Sequence, residues 1–491
     1  MAQKSLLIIA VLLVTAAVVI AAVAIPKNSD QDSENNWTAP TIPPIGAFDG
    51  VGPRGNNYDD PAGGIYVSPS GNDQTADGSI NRPYKSINTA LGVAEPGDTI
   101  ILRSGVYKEG YNVRVQVSDI TIKSAKGEWA VIDLTTFDPG NEEHSAIEFY
   151  AEDRNGGVVS NCLLQAVEVR GGYYAVCFET KWEWGQSDRR GVHDIIVEDC
   201  VLHDSKNDVV KVKPNCDNIT IRYNEIYNSG RDYVKHPDFT TGECNSEGID
   251  NVNGDNMKVQ NNYIHDICSN AIYAKGGAIN SLIENNRIER AYGAGIMAGF
   301  DTSPQYFDTS VNSQYYENIN GVIRNNLIIH TGWEGIGLYG SKDAQIYNNT
   351  LVDVNYAQNY HSAIYFGLTY QDWESYAGRP ANIDPNIHHN IVSQPATFTQ
   401  RPMIEIRYSS DLGGMSALSG NPTMSNNCYY IDGKNAEFVD MRSAGINPNM
   451  GLAEWKSRIS GDSGSIEVDP GLDANYKPTN SLCAGMGCNF L

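Results

Sequence analysis

Seven positions, Cys200, Asn224, Asn262, Asn286, Asn326, Asn349 and Asn390, recur down the chain, each three residues after an aliphatic or β-branched one, as in Ile-Arg-Tyr-Asn224 and Ile-Glu-Asn-Asn286. Successive separations are 24, 38, 24, 40, 23 and 41, so the base period is 23 or 24, with 14 to 18 extra residues in some turns. A fixed period of this size means a solenoid in which each coil stacks on the one before. It also fixes which side chains become neighbours, so a site can be read from spacing.

A second landmark, an aliphatic residue after a small one in all but the first case, falls at Val210, Ile249, Ile272, Ile296, Ile336 and Ile364. The step from the Asn column to it is 10 residues in four coils (200 to 210, 262 to 272, 286 to 296 and 326 to 336). Each coil therefore holds short strands of about 4 to 6 residues joined by turns, too short for an amphipathic helix. Inward positions are aliphatic or β-branched, and turns are rich in Asn, Gly and Asp, as tight or left-handed backbone needs. The reading is all-β, a parallel β-helix with one long core. The Asn column reads as structural, because stacked amides bond along the stack and satisfy turn groups that burial would orphan. Cys162 and Cys200 begin that column as small buried residues.

The 491 residues suit one long solenoid with a leader, and a net charge of -24 argues against a nucleic-acid partner. An anionic polymer needs a cation or a local basic cluster to approach such a surface. Ser5 to Ile25 is uncharged and follows Lys4, and its 21 residues match a membrane span. It reads as a signal-anchor, with Ala22-Val23-Ala24 as the alternative cleavage site, and either way the remainder leaves the cytoplasm. Residues 26 to 64 are polar, Pro-rich and aperiodic and read as a flexible tether. Residues 65 to 110 read as a cap in which Pro83 to Ala94 carries one apolar face at helical spacing. A helix there plugs the end of the core and blocks strand addition. The β-helix is expected over 111 to 395, with further coils and a cap over 396 to 491. The nine cysteines suit an exported protein, expected as a monomer, with Cys483 and Cys488 close enough to bridge.

Because coils stack about 4.8 Å apart, residues at equal offsets from the second landmark become lateral neighbours. In the coils of Val210, Ile249 and Ile272, the next residue is Lys211, Asp250 or Tyr273, and the third is Lys213, Val252 or Lys275. With the landmark inward, alternation points both columns outward. Two residues before it lie Asp208, Glu247 and Asn270. Strict alternation turns that column inward, so its carboxylates reach the surface only if the preceding turn breaks the alternation. Gly248 favours such a break at its position and Val209 does not. The expected patch holds Asp208, Glu247 and Asp250, hard oxygen ligands suited to calcium, beside Lys211, Lys213 and Lys275. A lysine beside a divalent cation and other lysines should have a lowered pKa and so some basic form. The alternative is a solvated ion-pair ladder between coils.

Inserts at 181 to 190, 231 to 246, 301 to 317 and 366 to 382 lengthen the arcs on both sides of this strand, which would make a groove. They hold Trp182, Trp184, Tyr306, Tyr315, Trp373 and Tyr376, which either stack on sugar rings or pack the loops.

The cap YVSPSGNDQTADGSINRPYKSINTALGVAEPGDTIILRSGVYKE resembles the opening of right-handed parallel β-helix proteins, among them polysaccharide lyase family 9, the pectate lyases. Asp208-Val-Val-Lys-Val-Lys213 is similar to that family's Asp-Gly-Phe-Ala-Ala-Lys, whose Asp binds calcium. Ser246-Glu247-Gly248-Ile249-Asp250 is similar to its Asp-Asp-Gly-aromatic-Asp calcium segment. Asn270-Ala-Ile-Tyr-Ala-Lys275-Gly-Gly is similar to the segment with its catalytic lysine. Ser246 stands where a carboxylate is expected, Glu247 replaces an Asp, and Lys275 sits one residue nearer the glycines; losing one acidic ligand should weaken calcium binding.

The resemblance implies an exported, calcium-assisted lyase that cleaves a uronate-containing polysaccharide by β-elimination. Asp208, Glu247 and Asp250 would hold the metal, Lys275 would be the base, and Lys211, Lys213 and Tyr273 would contact substrate. The alternatives are a cell-surface binding or structural solenoid without chemistry, anchored by residues 5 to 25, and a glycoside hydrolase or uronate epimerase on the same scaffold.

Overall fold

The structure, a computed structural model, describes residues 50–136, 144–152, 157–181, 191–232, 244–357, 361–369, 379–397, 402–410, 414–442 and 449–490. Residues 5 to 25 lie outside this set. Among the described residues no helix is long and apolar enough to cross a membrane.

Each coil contributes one short strand to each of three sheets, and among the described residues each sheet has twelve strands. The sheets are parallel ladders apart from the last pair of the landmark sheet, where Phe438–Asp440 meets Asn449–Met450 antiparallel. One core runs the length of the stack, from Val67 to Ile459. The Asn column turns one corner. Asn262 Nδ2 donates to Asn286 Oδ1 at 3.0 Å and to the Ile221 carbonyl at 2.9 Å, while its backbone N–H also donates to Asn286 Oδ1 at 3.0 Å. The pattern repeats from Asn224 to Asn390 and passes on to Asn427, one coil beyond the recurrence read from sequence. The residue before each buried Asn supplies the left-handed turn, as at Asn261, Asn285 and Asn325, with φ of 56°, 57° and 56°. Asn tolerates this region better than most side chains.

The ends are closed. The helix Ile87–Val93 places Ile87, Ala90 and Leu91 in the core, with Ser86 capping it and Glu109 accepting from the Ile87 N–H at 2.9 Å. At the other end the helix Leu452–Ile459 inserts Trp455, stacked on Phe438 with ring centroids 5.4 Å apart.

Two expectations are corrected. The tether stops short of residue 64, because Arg54 pairs with Asp199 at 2.7 Å, Lys123 with Asp60 at 2.6 Å, and Asn56 is buried. These are contacts between segments far apart in sequence, invisible to a search for periodicity. Cys483 and Cys488 do not bridge; the Cys483 sulfur instead lies 3.4 Å from that of Cys428. The bridge that forms joins Cys244 to Cys268, 24 residues apart.

Candidate functional site

The landmark sheet aligns Val210 with Ile249 and Ile249 with Ile272, which sets Lys211 opposite Asp250, Asp250 opposite Tyr273 and Val252 opposite Lys275. The side chains two residues before the landmark join this outer face. Val209 and Val210 both lie in the core, as do Ala271 and Ile272, so the chain spends two consecutive residues inward at the bend. That doubling reverses the alternation and sends Asp208 and Glu247 outward, at Val209 as well as at Gly248, contrary to the expectation for Val209.

Asp208, Glu247 and Asp250 each offer an oxygen within 4.8 Å of the others, and each residue is only 2 % exposed. Lys211 lies among them, its Nζ 3.1 Å from Asp208 Oδ2 and in direct contact with Asp250 Oδ2. The Glu247 backbone N–H donates to Asp208 Oδ1 at 2.9 Å, and Asn270 Nδ2 to Glu247 Oε1 at 3.3 Å. The three acids divide electrostatically. Burial acts to raise the Asp250 carboxyl, but Lys211 and Lys275 hold it below the ordinary carboxylate range. Burial, together with the negative charge of Asp208 and Asp250, pushes the Glu247 carboxyl well above that range. For Lys211, burial favours the neutral amine, yet Asp208 and Asp250 carry the ammonium well above its usual value.

The donor set fits a divalent cation: three hard carboxylates converge, Asp250 Oδ1 is buried without a hydrogen-bond partner, and the positive charge of Lys275 does not offset the burial and the neighbouring acids that push Glu247 up. Lys211 is the group such an ion would displace.

Lys275 stands at the open edge of the cluster. Its Nζ is 3.7 Å from Asp250 Oδ2 and 3.9 Å from the centre of the Tyr273 ring, with the side chain 17 % exposed. Tyr273 itself is buried and supports Lys275 from beneath. Lys213 pairs with Glu179 at 2.9 Å. Lys211, Lys213 and Lys275 share a cavity of about 210 Å³ with Tyr174, Asp301 and Tyr306. One wall is fixed by the buried Glu317, which accepts from the Gly276 N–H at 2.9 Å, from Thr302 Oγ1 at 2.6 Å and from Arg379 Nε at 3.2 Å. The insert over 301 to 317 is thereby locked against the Lys275 strand. Within it Tyr306 lines the cavity, whereas Tyr315 packs on Phe307. Trp182, Trp184, Trp373 and Tyr376 lie outside the described residues.

Sequence reasoning passed over Glu179, Glu317, Tyr174 and the Cys244–Cys268 bridge. Only the bridge had a usable signal: two cysteines separated by one base period are lateral neighbours.

A family model described as a right handed beta helix region matches residues 54–375. The chain is 38% identical over 77 residues to pectate lyase PEL9 of Emericella nidulans, a match over 15% of this chain and 18% of that protein. The chain thus spans under a fifth of the curated relative it matches. Among solved structures, pectate lyase Pel9A is 14% identical with a TM-score of 0.46, covering 74% of this chain and 77% of the other. The A-module of mannuronan C-5 epimerase AlgE6 from Azotobacter vinelandii is 11% identical, also at 0.46, covering 78% and 93%.

Proposed function

Because the chain belongs to the right-handed β-helix family, whose stacked coils bring distant residues onto one face, we propose that it is a polysaccharide lyase acting on a uronate-containing polymer. One observation carries this reading: an amine, Lys275 Nζ, at the floor of a cavity and 3.7 Å from a buried carboxylate cluster. Lys275 as free base takes the proton from C5, next to the sugar carboxylate. The electron pair forms the C4–C5 double bond, the bond from C4 to the glycosidic oxygen breaks, and that oxygen leaves and is protonated. Asp208, Glu247 and Asp250 would hold calcium, which when bound neutralises the sugar carboxylate and acidifies the C5 proton. Lys213 and Lys211 offset substrate charge at the cavity, which a chain of net charge -24 requires locally. Tyr273 positions Lys275. The Cys244–Cys268 bridge and the apolar residues 5 to 25 support placement outside the cytoplasm, at the cell surface or beyond.

The test is incubation with polygalacturonate, alginate or a glycosaminoglycan, with calcium or with a chelator, followed by the ultraviolet absorbance of an unsaturated uronide. Lys275→Ala is expected to lower its rate of appearance by at least about a hundredfold, the lower end of general-base catalysis. Unchanged turnover would remove Lys275 from the chemistry. New reducing ends without that absorbance would instead indicate hydrolysis.

A second reading, a carbohydrate-binding solenoid without chemistry, is favoured by Lys211, which already neutralises Asp208 and Asp250. Saccharide binding with neither product separates the two.

A further inference from the structure

Beyond Lys275 the same outer face carries a second constellation. Glu334 is two residues before Ile336, the offset of Asp208 and Glu247 in their coils, and Ile336 lies two coils beyond Ile272 in the ladder. Glu334 is fully buried; its Oε1 accepts from Tyr339 OH at 2.8 Å and its Oε2 lies 2.6 Å from His361 Nδ1. Neither Oε2 nor Nδ1 makes a hydrogen bond of good geometry among the described residues, so the two meet as an ion contact. Burial works to raise the Glu334 carboxyl, but His361 and Tyr339 hold it below the ordinary range. The imidazole lies between Trp333, at 4.9 Å and 14°, and Tyr365, at 4.7 Å. His361 is 16 % exposed, and its second ring nitrogen makes no hydrogen bond among the described residues and is not enclosed.

An ionised carboxylate buried on an outer face is costly, and an apolar residue of like size serves stability as well or better. What Glu334 does that an apolar residue cannot is fix the His361 ring with one nitrogen inward and the other open. From Lys275 to this ring, Tyr273, Met297 and Tyr339 form a second apolar cluster outside the core, with Phe300 and Trp333 packed on it and partly exposed. His361 lies three coils beyond Lys275, a rise along the stack of roughly 14 Å at about 4.8 Å per coil, and on the other side of the landmark column, three residues before Ile364 where Lys275 is three after Ile272.

We propose that Trp333, Phe300 and the Glu334-oriented His361 form a second saccharide-binding subsite. It takes a sugar several units along the same polymer, rings packing on Trp333 and Phe300 and a sugar oxygen hydrogen-bonded to His361 Nε2. This rests on the polymer reading given above, and it assigns a binding role, separate from the chemistry at Lys275.

The experiment is calorimetric titration of the Lys275→Ala protein, which leaves chains intact, with trimers and octamers from polygalacturonate, alginate and a glycosaminoglycan. Octamers of one polymer are expected to bind more tightly than trimers. His361→Ala in that background should weaken octamer binding about tenfold, the value of a hydrogen bond and its supporting contact, and leave trimer binding unchanged, both read well below a melting temperature that falls because the buried Glu334 carboxylate loses its partner. His361→Gln, which keeps a hydrogen-bonding group, should fall between. Equal octamer affinity with and without His361, or an equal loss for both lengths, overturns the subsite while the Lys275 reading stands. Failure of the Lys275→Ala protein to bind any fragment removes the polymer reading and the subsite together.

Discussion

Lys211 governs the acid cluster from inside. Its ammonium already meets two of the three carboxylates, so the calcium proposed for the cluster would have to compete with a tethered cation. Lys211→Met is therefore expected to tighten calcium binding by at least about tenfold in calorimetry, since it leaves three buried acids with one neighbouring amine fewer. Equal affinity in both proteins would mean that the cluster is not where calcium binds. Along the same face, burial raises the Glu148 carboxyl to about 7, helped by Glu179 and opposed by Arg114. The folded value exceeds the ordinary 4.5, so the contribution to stability is complete below 4.5 and is lost as pH rises through about 7. A loss of up to about 3 kcal/mol follows from a shift of that size. Glu148→Gln should flatten the fall in melting temperature between pH 4.5 and about 7; a fall as steep as that of the unaltered protein would contradict the assignment.

At the level of the strand and turn, the Asn column holds neighbouring coils together by side-chain bonds that no strand ladder supplies. Asn286→Ala leaves the Asn262 N–H and side-chain amide without their acceptor and the Val259 carbonyl without its donor. The expected cost is on the order of 3 kcal/mol in urea unfolding, and a change under about 1 kcal/mol would show that water replaces the amide. These strands were legible because the ladder aligns residues at equal offsets from an aliphatic landmark, which spacing alone reveals. The bend was not. Val209 turns inward beside Val210 and both join the core, a packing fact that a β-branched residue does not announce. For the same reason the burial of Tyr273 beneath Lys275 and the capture of Lys211 by two acids lay beyond the sequence, since both depend on rotamers rather than register.

Over the whole molecule, a core continuous from Val67 to Ile459 makes each coil depend on its neighbours, with helices closing the two ends. The tail folds back so that Cys483 meets Cys428, both fully buried with sulfurs 3.4 Å apart. Mild oxidation is expected to join them without disturbing the fold, seen as a linked Cys428 and Cys483 peptide pair in non-reduced digests. Two separately alkylated peptides after oxidation would refute this. Such contacts between chain segments far outside the repeat, like those of Arg54 with Asp199, are what a period cannot encode. The period encodes length instead. Because Lys275 and His361 sit on a stack of identical rises, their separation can change only by whole windings, as rungs are added to or taken from a ladder. A relative that gained or lost one winding between them would gauge a chain longer or shorter by one fixed step, with both end stations left intact.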